Sequence, residues 1–218
     1  MGPQPSYNEI SINKYRARAA EYDASAEFTM PLQRRTIDLL QLRAGDVVLD
    51  VGAGTGLSYE LLLAAVGPSG GVMAFEQSPE MFAQAQARCD RRGWGGQRAP
   101  GQGGVWHVCA SAETVQLPRR PSAVLFNYTH DICRTKNAVD NILGQCAPGA
   151  RIAMAGMKFF PWWTGPLNLL AWIKNRPYNA NAADLWAPWD QVEPRCGTFS
   201  RSSTQWGMGY IAHGILQP

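Results

Sequence analysis

Gly52, Gly54 and Gly56 stand at alternate positions behind the apolar run Val47-Val48-Leu49-Asp50-Val51. The helix-forming stretch Tyr59-Glu60-Leu61-Leu62-Leu63-Ala64-Ala65 follows them. Glycine carries no Cβ, so such a loop turns tightly and lets a ligand approach its backbone. Strand, Gly-rich turn and helix in this order make a cradle for a nucleotide-type cofactor. The dinucleotide fingerprint G-x-G-x-x-G is not met, because its third glycine falls at position 57 and Leu57 stands there.

A second carboxylate stands where such a cradle uses one. Glu76 closes the apolar run Gly71-Val72-Met73-Ala74-Phe75, roughly 20 residues past the loop. At the end of a second strand, an acid accepts hydrogen bonds from both ribose hydroxyls. Ser78 is a good N-cap and Pro79 a good first residue for the next helix. Val105-Trp106-His107-Val108-Cys109 reads as a third strand. Pro121 to Asn127 reads as a central strand beside the first, and Arg151 to Met157 as a fifth. Ligands of open α/β sheets bind at the carboxyl ends of the strands, near the switch in strand order. Residues 127–131 therefore face the reacting group. His130 is the candidate general base, since an unperturbed histidine titrates at about 6.5. Asp131 is placed to orient it or to bind a substrate cation.

Val47 to Leu57 resembles VLDVGxGxG, the first signature of the class I S-adenosylmethionine (SAM) methyltransferases. The resemblance covers about residues 40–157 and implies SAM as cofactor and S-adenosylhomocysteine as product. It places Gly52, Ala53, Gly54, Thr55 and Gly56 in the cofactor loop. Asp50 suits the cationic methionine end of SAM. Gln77 and Met81 match the positions that flank the adenine, and Asn127 falls beside the methyl group. The family often carries G-D-A after the third strand, but Ser111 stands where Asp is usual. Adenine recognition then falls to the Ser111 hydroxyl, to Glu113 or to the backbone at Ala112. Lys14 to Asp23 is similar to the "Y…A…YD" opening of small-molecule methyltransferases, whose arm closes over SAM through residues matching Tyr15 and Tyr22. The Pro-Pro-Tyr motif of the adenine and glutamine N-methyltransferases is replaced here by Asn127-Tyr128-Thr129-His130. That departure disfavours nucleic-acid and protein-amide acceptors.

The substrate region is expected past the fifth strand. Lys158, Trp162 and Trp163 lead a Trp-rich stretch that suggests an aromatic-walled pocket or an amphipathic lid. Adjacent Trp162 and Trp163 cannot both face one core from a regular helix, which favours an irregular lid. Ser203 to Gly214 reads as a closing strand, the antiparallel seventh strand of the family.

These residues need a frame, and 218 residues suffice for one α/β domain with a proper core. The expected fold is a single Rossmann-like domain over 1–218, with a largely parallel seven-stranded sheet, helices on both faces and an antiparallel last strand. A helical arm over 8–42 precedes the core at 43–157. A lid over 158–195 and closing strands over 196–218 follow. The Gly-rich stretch 93–104 reads as a loop. The start of the chain has no apolar signal core, and no apolar run reaches 18 residues, so no spanning helix is expected. Five cysteines without a C-x-x-C spacing argue against a disulfide frame or zinc site, and a cytoplasmic location follows. A net charge of +3 without a polybasic face gives no sign of nucleic acid. The expected activity is SAM-dependent methyl transfer to nitrogen or oxygen of a small or lipid-like acceptor. The alternatives are a SAM-binding partner protein without catalysis and a dehydrogenase, which Leu57 disfavours.

Overall fold

The computed structural model describes residues 30–95, 103–175 and 182–218. Tyr15, Tyr22, most of the arm over 8–42 and residues 96–102 of the Gly-rich stretch lie outside the described residues. Seven strands form one sheet: β1 (Val47–Val51), β2 (Gly71–Glu76), β3 (Val105–Cys109), β4 (Ala123–Asn127), β5 (Arg151–Met157), β6 (Cys196–Thr204) and β7 (Gly209–Leu216). Their spatial order is β3-β2-β1-β4-β5-β7-β6. Strands β1 to β5 pair in parallel, and β7 runs antiparallel to both β5 and β6. The sheet is the expected one, with β7 the reversed strand.

The runs that read as near-continuous apolar strands are buried on both faces, as a parallel sheet covered by helices requires. One face packs α1 (Met30–Leu39), α2 (Tyr59–Val66) and α3 (Pro79–Arg92) through Ile37, Leu62, Ala85 and Cys89 onto Val48, Val72, Ala74 and Leu125. The other face packs α4 (His130–Arg134) and α5 (Lys136–Gly144) through Ile132, Val139 and Ile142 onto Leu49, Phe75 and Phe126. Side chains alternate with period two along a strand. The pairings Asp50↔Ala74 and Asp50↔Leu125 are in register, so Asp50, Glu76 and Asn127 all belong to the α1–α3 face. They stand at the carboxyl ends of three neighbouring strands, on either side of the switch between β1 and β4.

Helix α3 starts and stops as its sequence dictates. The Ser78 hydroxyl accepts the Met81 N–H, Pro79 follows it, and Gly93 ends the helix in the left-handed conformation. An N-cap of this kind is worth about 1 kcal/mol.

Beyond β5 the chain is irregular. It makes a short turn of 3-10 helix at Trp162–Thr164, then α6 (Pro166–Asn175), then 3-10 turns at Ala182–Leu185 and Glu193–Arg195. A small third core of Met157, Phe159, Ala171 and Leu185 holds this segment, with Tyr128, Phe160 and Met208 against it. Within the expected closing strands over 196–218, the stretch 203–214 read as one strand spans the end of β6, a turn and most of β7. Gln205, Trp206 and Gly207 have φ of 50°, 59° and 97°, three left-handed residues in succession that reverse the chain between β6 and β7. Nothing in the polar-aromatic alternation of this stretch marks the turn except Gly207.

Candidate functional site

The loop after β1 is tied to the end of β2. Ala53 N–H donates to the Phe75 carbonyl at 3.0 Å, and Gly54 N–H donates to Glu76 Oε2 at 2.9 Å. Glu76 Oε1 accepts the Ser78 N–H at 2.8 Å. From α3, Arg88 Nε donates to the Thr55 carbonyl at 2.9 Å. The three loop glycines serve different ends, although all three have positive φ. A Cβ on Gly52 would come within 2.9 Å of Thr129, and one on Gly56 within 2.5 Å of the Tyr59 ring. Gly56 therefore answers to packing of the helix behind the loop. At Gly54 the nearest atom to a Cβ would be Met81 Sδ at 3.9 Å, so that position faces open space inside the cleft.

The cleft beside this loop spans about 480 Å³ of space, part of it open to solvent. Gly52, Gly54, Glu76, Gln77, Met81, Ala112, Asn127, Tyr128 and Asp131 line it. A second hollow of about 350 Å³ shares Gly52, Gly54, Asn127 and Tyr128 with it and adds Asp50, Ala53 and Thr55. A third, of about 230 Å³, shares Gln77, Ala112 and Asp131 and adds Ser111 and Glu113. Together they form one trough that runs from Asp50, past Glu76, to Ser111. This matches an elongated ligand with a cationic end, a diol and a base.

The polar groups of the trough are costly without such a ligand. Asp50 Oδ2 and both side-chain heteroatoms of Asn127 are buried without a hydrogen-bond partner among the described residues. Buried polar atoms left so are destabilising and call for an explanation, of which a bound ligand is one. Burial raises the Asp50 carboxyl to about 7, against the Ser58 hydrogen bond that lowers it, and the Glu76 charge raises it further. Burial likewise raises Glu76, opposed by the Ser78 and Gly54 amides. A cation beside these two acids would reverse both shifts. The residues present therefore fit SAM, whose methionine end carries a positive charge.

Of the sequence-derived site residues, Asp50, Gly52, Ala53, Gly54, Thr55, Glu76, Gln77, Met81, Ser111, Ala112, Asn127 and Asp131 gather along the trough. Gly56 stands behind it. His130 does not face it. The His130 ring is buried, and its Nε2 accepts the Met157 N–H at 2.7 Å. Tyr128 and Tyr210 meet it edge-on. Burial lowers its pKa to about 4, so it is neutral near pH 7 and its basic nitrogen is already engaged. The ring expected as general base is thus engaged away from the cleft, and the acid next to it, Asp131, is the group that reaches the cleft. Lys158, Trp162 and Trp163 also stand apart from the described hollows. Trp162 is 80% exposed and Trp163 72%.

Among the lining residues given no role in the sequence reading are Gln33 and, within the 127–131 stretch expected at the reacting group, Tyr128. Gln33 reaches the Asp50 end from α1, a helix with no motif to mark it. Tyr128 lines the cleft from a left-handed backbone, φ 56°, and Gln205 Nε2 donates to its hydroxyl at 3.5 Å. Its place after β4 was the available signal, but its left-handed turn had none.

The sequence model of the protein-L-isoaspartate(D-aspartate) O-methyltransferases matches residues 8–98. A malonyl-[acyl-carrier protein] O-methyltransferase of Marinomonas sp. (strain MWYL1) is 28% identical over 122 residues, 56% of this chain and 41% of that protein. The enzyme of the same name from Herminiimonas arsenicoxydans is 40% identical over 86 residues, 39% of this chain and 32% of that protein. This chain thus spans less than half the length of either relative. A crystal structure of a SAM-dependent methyltransferase from Aquifex aeolicus superposes with a TM-score of 0.62 at 18% identity, over 84% of this chain and 89% of that one. That likeness is one of fold.

Proposed function

We propose that this chain, which belongs to the class I SAM-dependent methyltransferase family, transfers the SAM methyl group to nitrogen or oxygen of a small or amphiphilic acceptor. The observation that carries the reading is the trough itself, with a buried Asp50 oxygen that has no partner among the described residues at one end and the loop-bound Glu76 at its centre. Asp50 binds the ammonium of the methionine end. Glu76 uses its remaining lone pairs for the ribose hydroxyls while its two amide contacts fix the loop. Gln77 and Met81 flank the adenine, and Ser111 with Ala112 meets its edge. Asn127 stands where the methyl group is presented.

When bound, SAM supplies a methyl group already activated by a sulfonium. The chain's own task is to hold an acceptor in line at close range, a source of rate that needs no nucleophile. His130 sets the backbone after β5 by accepting the Met157 N–H and takes no proton from the acceptor. Asp131 faces the cleft and serves as the acid that attracts a cationic acceptor or receives its proton.

The test is a screen of the purified protein with SAM against amines, hydroxy and carboxylic acids, lipid-like amphiphiles and an isoaspartyl peptide, with S-adenosylhomocysteine release as readout. Release with a small or amphiphilic acceptor supports the reading. Release with the peptide alone would assign the acceptor to protein instead.

A further inference from the structure

Helix α6 is packed inside out. A helix on a protein surface normally buries its apolar side and shows its polar side to water. In α6, Ala171 is buried and Asn168, three residues before it, faces inward. Asn168 Oδ1 accepts the Phe160 N–H at 2.8 Å, and Asn168 Nδ2 donates to the Phe160 carbonyl at 3.2 Å. Leu169, Leu170 and Ile173 point the other way and are 58%, 63% and 55% exposed. The turn ahead of the helix adds Trp162 and Trp163 to the same apolar surface.

The β6–β7 hairpin extends this surface. Gly207 lies so close to Phe160 that a Cβ would come within 2.8 Å of its ring, and Lys158 N–H donates to the Met208 carbonyl at 2.8 Å. The hairpin tip beside this contact presents Trp206, 97% exposed. The same tip carries Gln205, which holds the Tyr128 hydroxyl at the mouth of the cleft. The apolar surface and the acceptor end of the trough are therefore neighbours.

We propose that α6 and the Trp-bearing turns beside it seat on an anionic lipid surface and bring an amphiphilic acceptor to the mouth at Tyr128. The part that concerns the acceptor rests on the methyl-transfer reading above; the seating does not. Composition selects the occupant. Residues 159–173 contain no charged side chain, and lysines bound the stretch in sequence at 158 and 174. Leucine and isoleucine flanked by tryptophans and bounded by lysines is the pattern of a helix lying in a membrane interface. In sequence, the positive charges that bound the stretch are of the sign that complements anionic headgroups. No helix of the described residues is long and apolar enough to cross a membrane, so the seating is peripheral.

The experiment is co-sedimentation of the full chain with vesicles of phosphatidylcholine and phosphatidylglycerol, with tryptophan emission read alongside. The expected result is sedimentation with a blue shift. Leu170→Asp and Ile173→Asp should each weaken partition roughly tenfold to hundredfold, the worth of one large apolar side chain. SAM affinity, measured by calorimetry on the same variants, should not change. Failure of the wild-type chain to sediment would overturn the seating and leave the SAM site standing. A concentration-dependent dimer that Leu170→Asp dissociates, without vesicle binding, would overturn it in favour of a second copy of the chain. Loss of SAM binding in the wild-type chain would instead strike the methyl-transfer reading, and with it only the role given to the acceptor.

Discussion

Glu76 and Gly54 are joined across 22 residues of sequence by one hydrogen bond, from the Gly54 N–H to Glu76 Oε2 at 2.9 Å. The acid that would hold the ribose also sets the shape of the glycine loop. Glu76→Ala should strand two buried amides, Gly54 and Ser78, at a cost of about 1–3 kcal/mol each where water does not replace the carboxylate. Urea unfolding should show that loss, and calorimetry should show no SAM binding. Glu76→Gln, which keeps one acceptor oxygen, should retain more stability and still bind SAM weakly. Normal SAM affinity in Glu76→Ala would reduce Glu76 to a loop brace.

Asp50 gives the site a pH dependence. Burial lifts its carboxyl to about 7, above the ordinary value of 3.8. In the folded chain without ligand it holds a proton that the unfolded chain has lost, so its contribution to stability falls as pH rises from about 4 to 7. Ligand binding runs the other way. A cationic methionine end favours the ionised acid, so SAM affinity should fall roughly tenfold per pH unit below 7. Calorimetry at pH 6 in two buffers of different ionisation enthalpy should reveal proton release on binding, absent in Asp50→Asn. Binding without proton release would place the cation elsewhere.

His130 is expected to matter for the fold. Its pKa is lowered to about 4 by burial, from an ordinary value of 6.5. Between those values the unfolded chain takes a proton that the folded chain refuses, so stability is lost as pH falls from 6.5 toward 4. His130→Ala should remove the partner of the Met157 amide and lower stability by about 1–3 kcal/mol. SAM affinity and the pH dependence tied to Asp50 should persist. A fall in turnover of roughly 10²–10⁴-fold with fold and SAM affinity intact would restore it as a general base.

Gly54 and Gly56 should separate binding from packing. Gly54→Ala places a methyl group in the open cleft and costs the fold about 1–2 kcal/mol of left-handed backbone strain. Its main effect should be on SAM, and Gly54→Val should abolish binding. Gly56→Ala adds to similar strain a 2.5 Å clash with the Tyr59 ring, so thermal unfolding should show the larger loss there. The reverse order of stabilities would contradict the division of labour within the loop.

Much of the fold and of the trough was legible because it follows from period and spacing. The apolar runs of β1 and β2 and the distance between the loop and Glu76 already put Asp50, the glycines and Glu76 at one edge of a sheet. What was not legible depends on directions set after a strand ends. Position 130 lies just past β4, but α4 starts there and turns the imidazole inward against Met157. Tyr128 takes the cleft through a left-handed φ that its residue type does not announce. Gln33 arrives from a helix distant in sequence, and the tryptophans at 162 and 163 sit outside the trough although the stretch after β5 was the reasonable place to seek an acceptor wall.

Titration calorimetry of the full chain with SAM, S-adenosylhomocysteine and NAD is the most direct test of the central claim. The account expects saturable heat with SAM and S-adenosylhomocysteine at one site per chain, none with NAD, and loss of the signal in Gly54→Val. Saturable binding of NAD with no heat from SAM would contradict it.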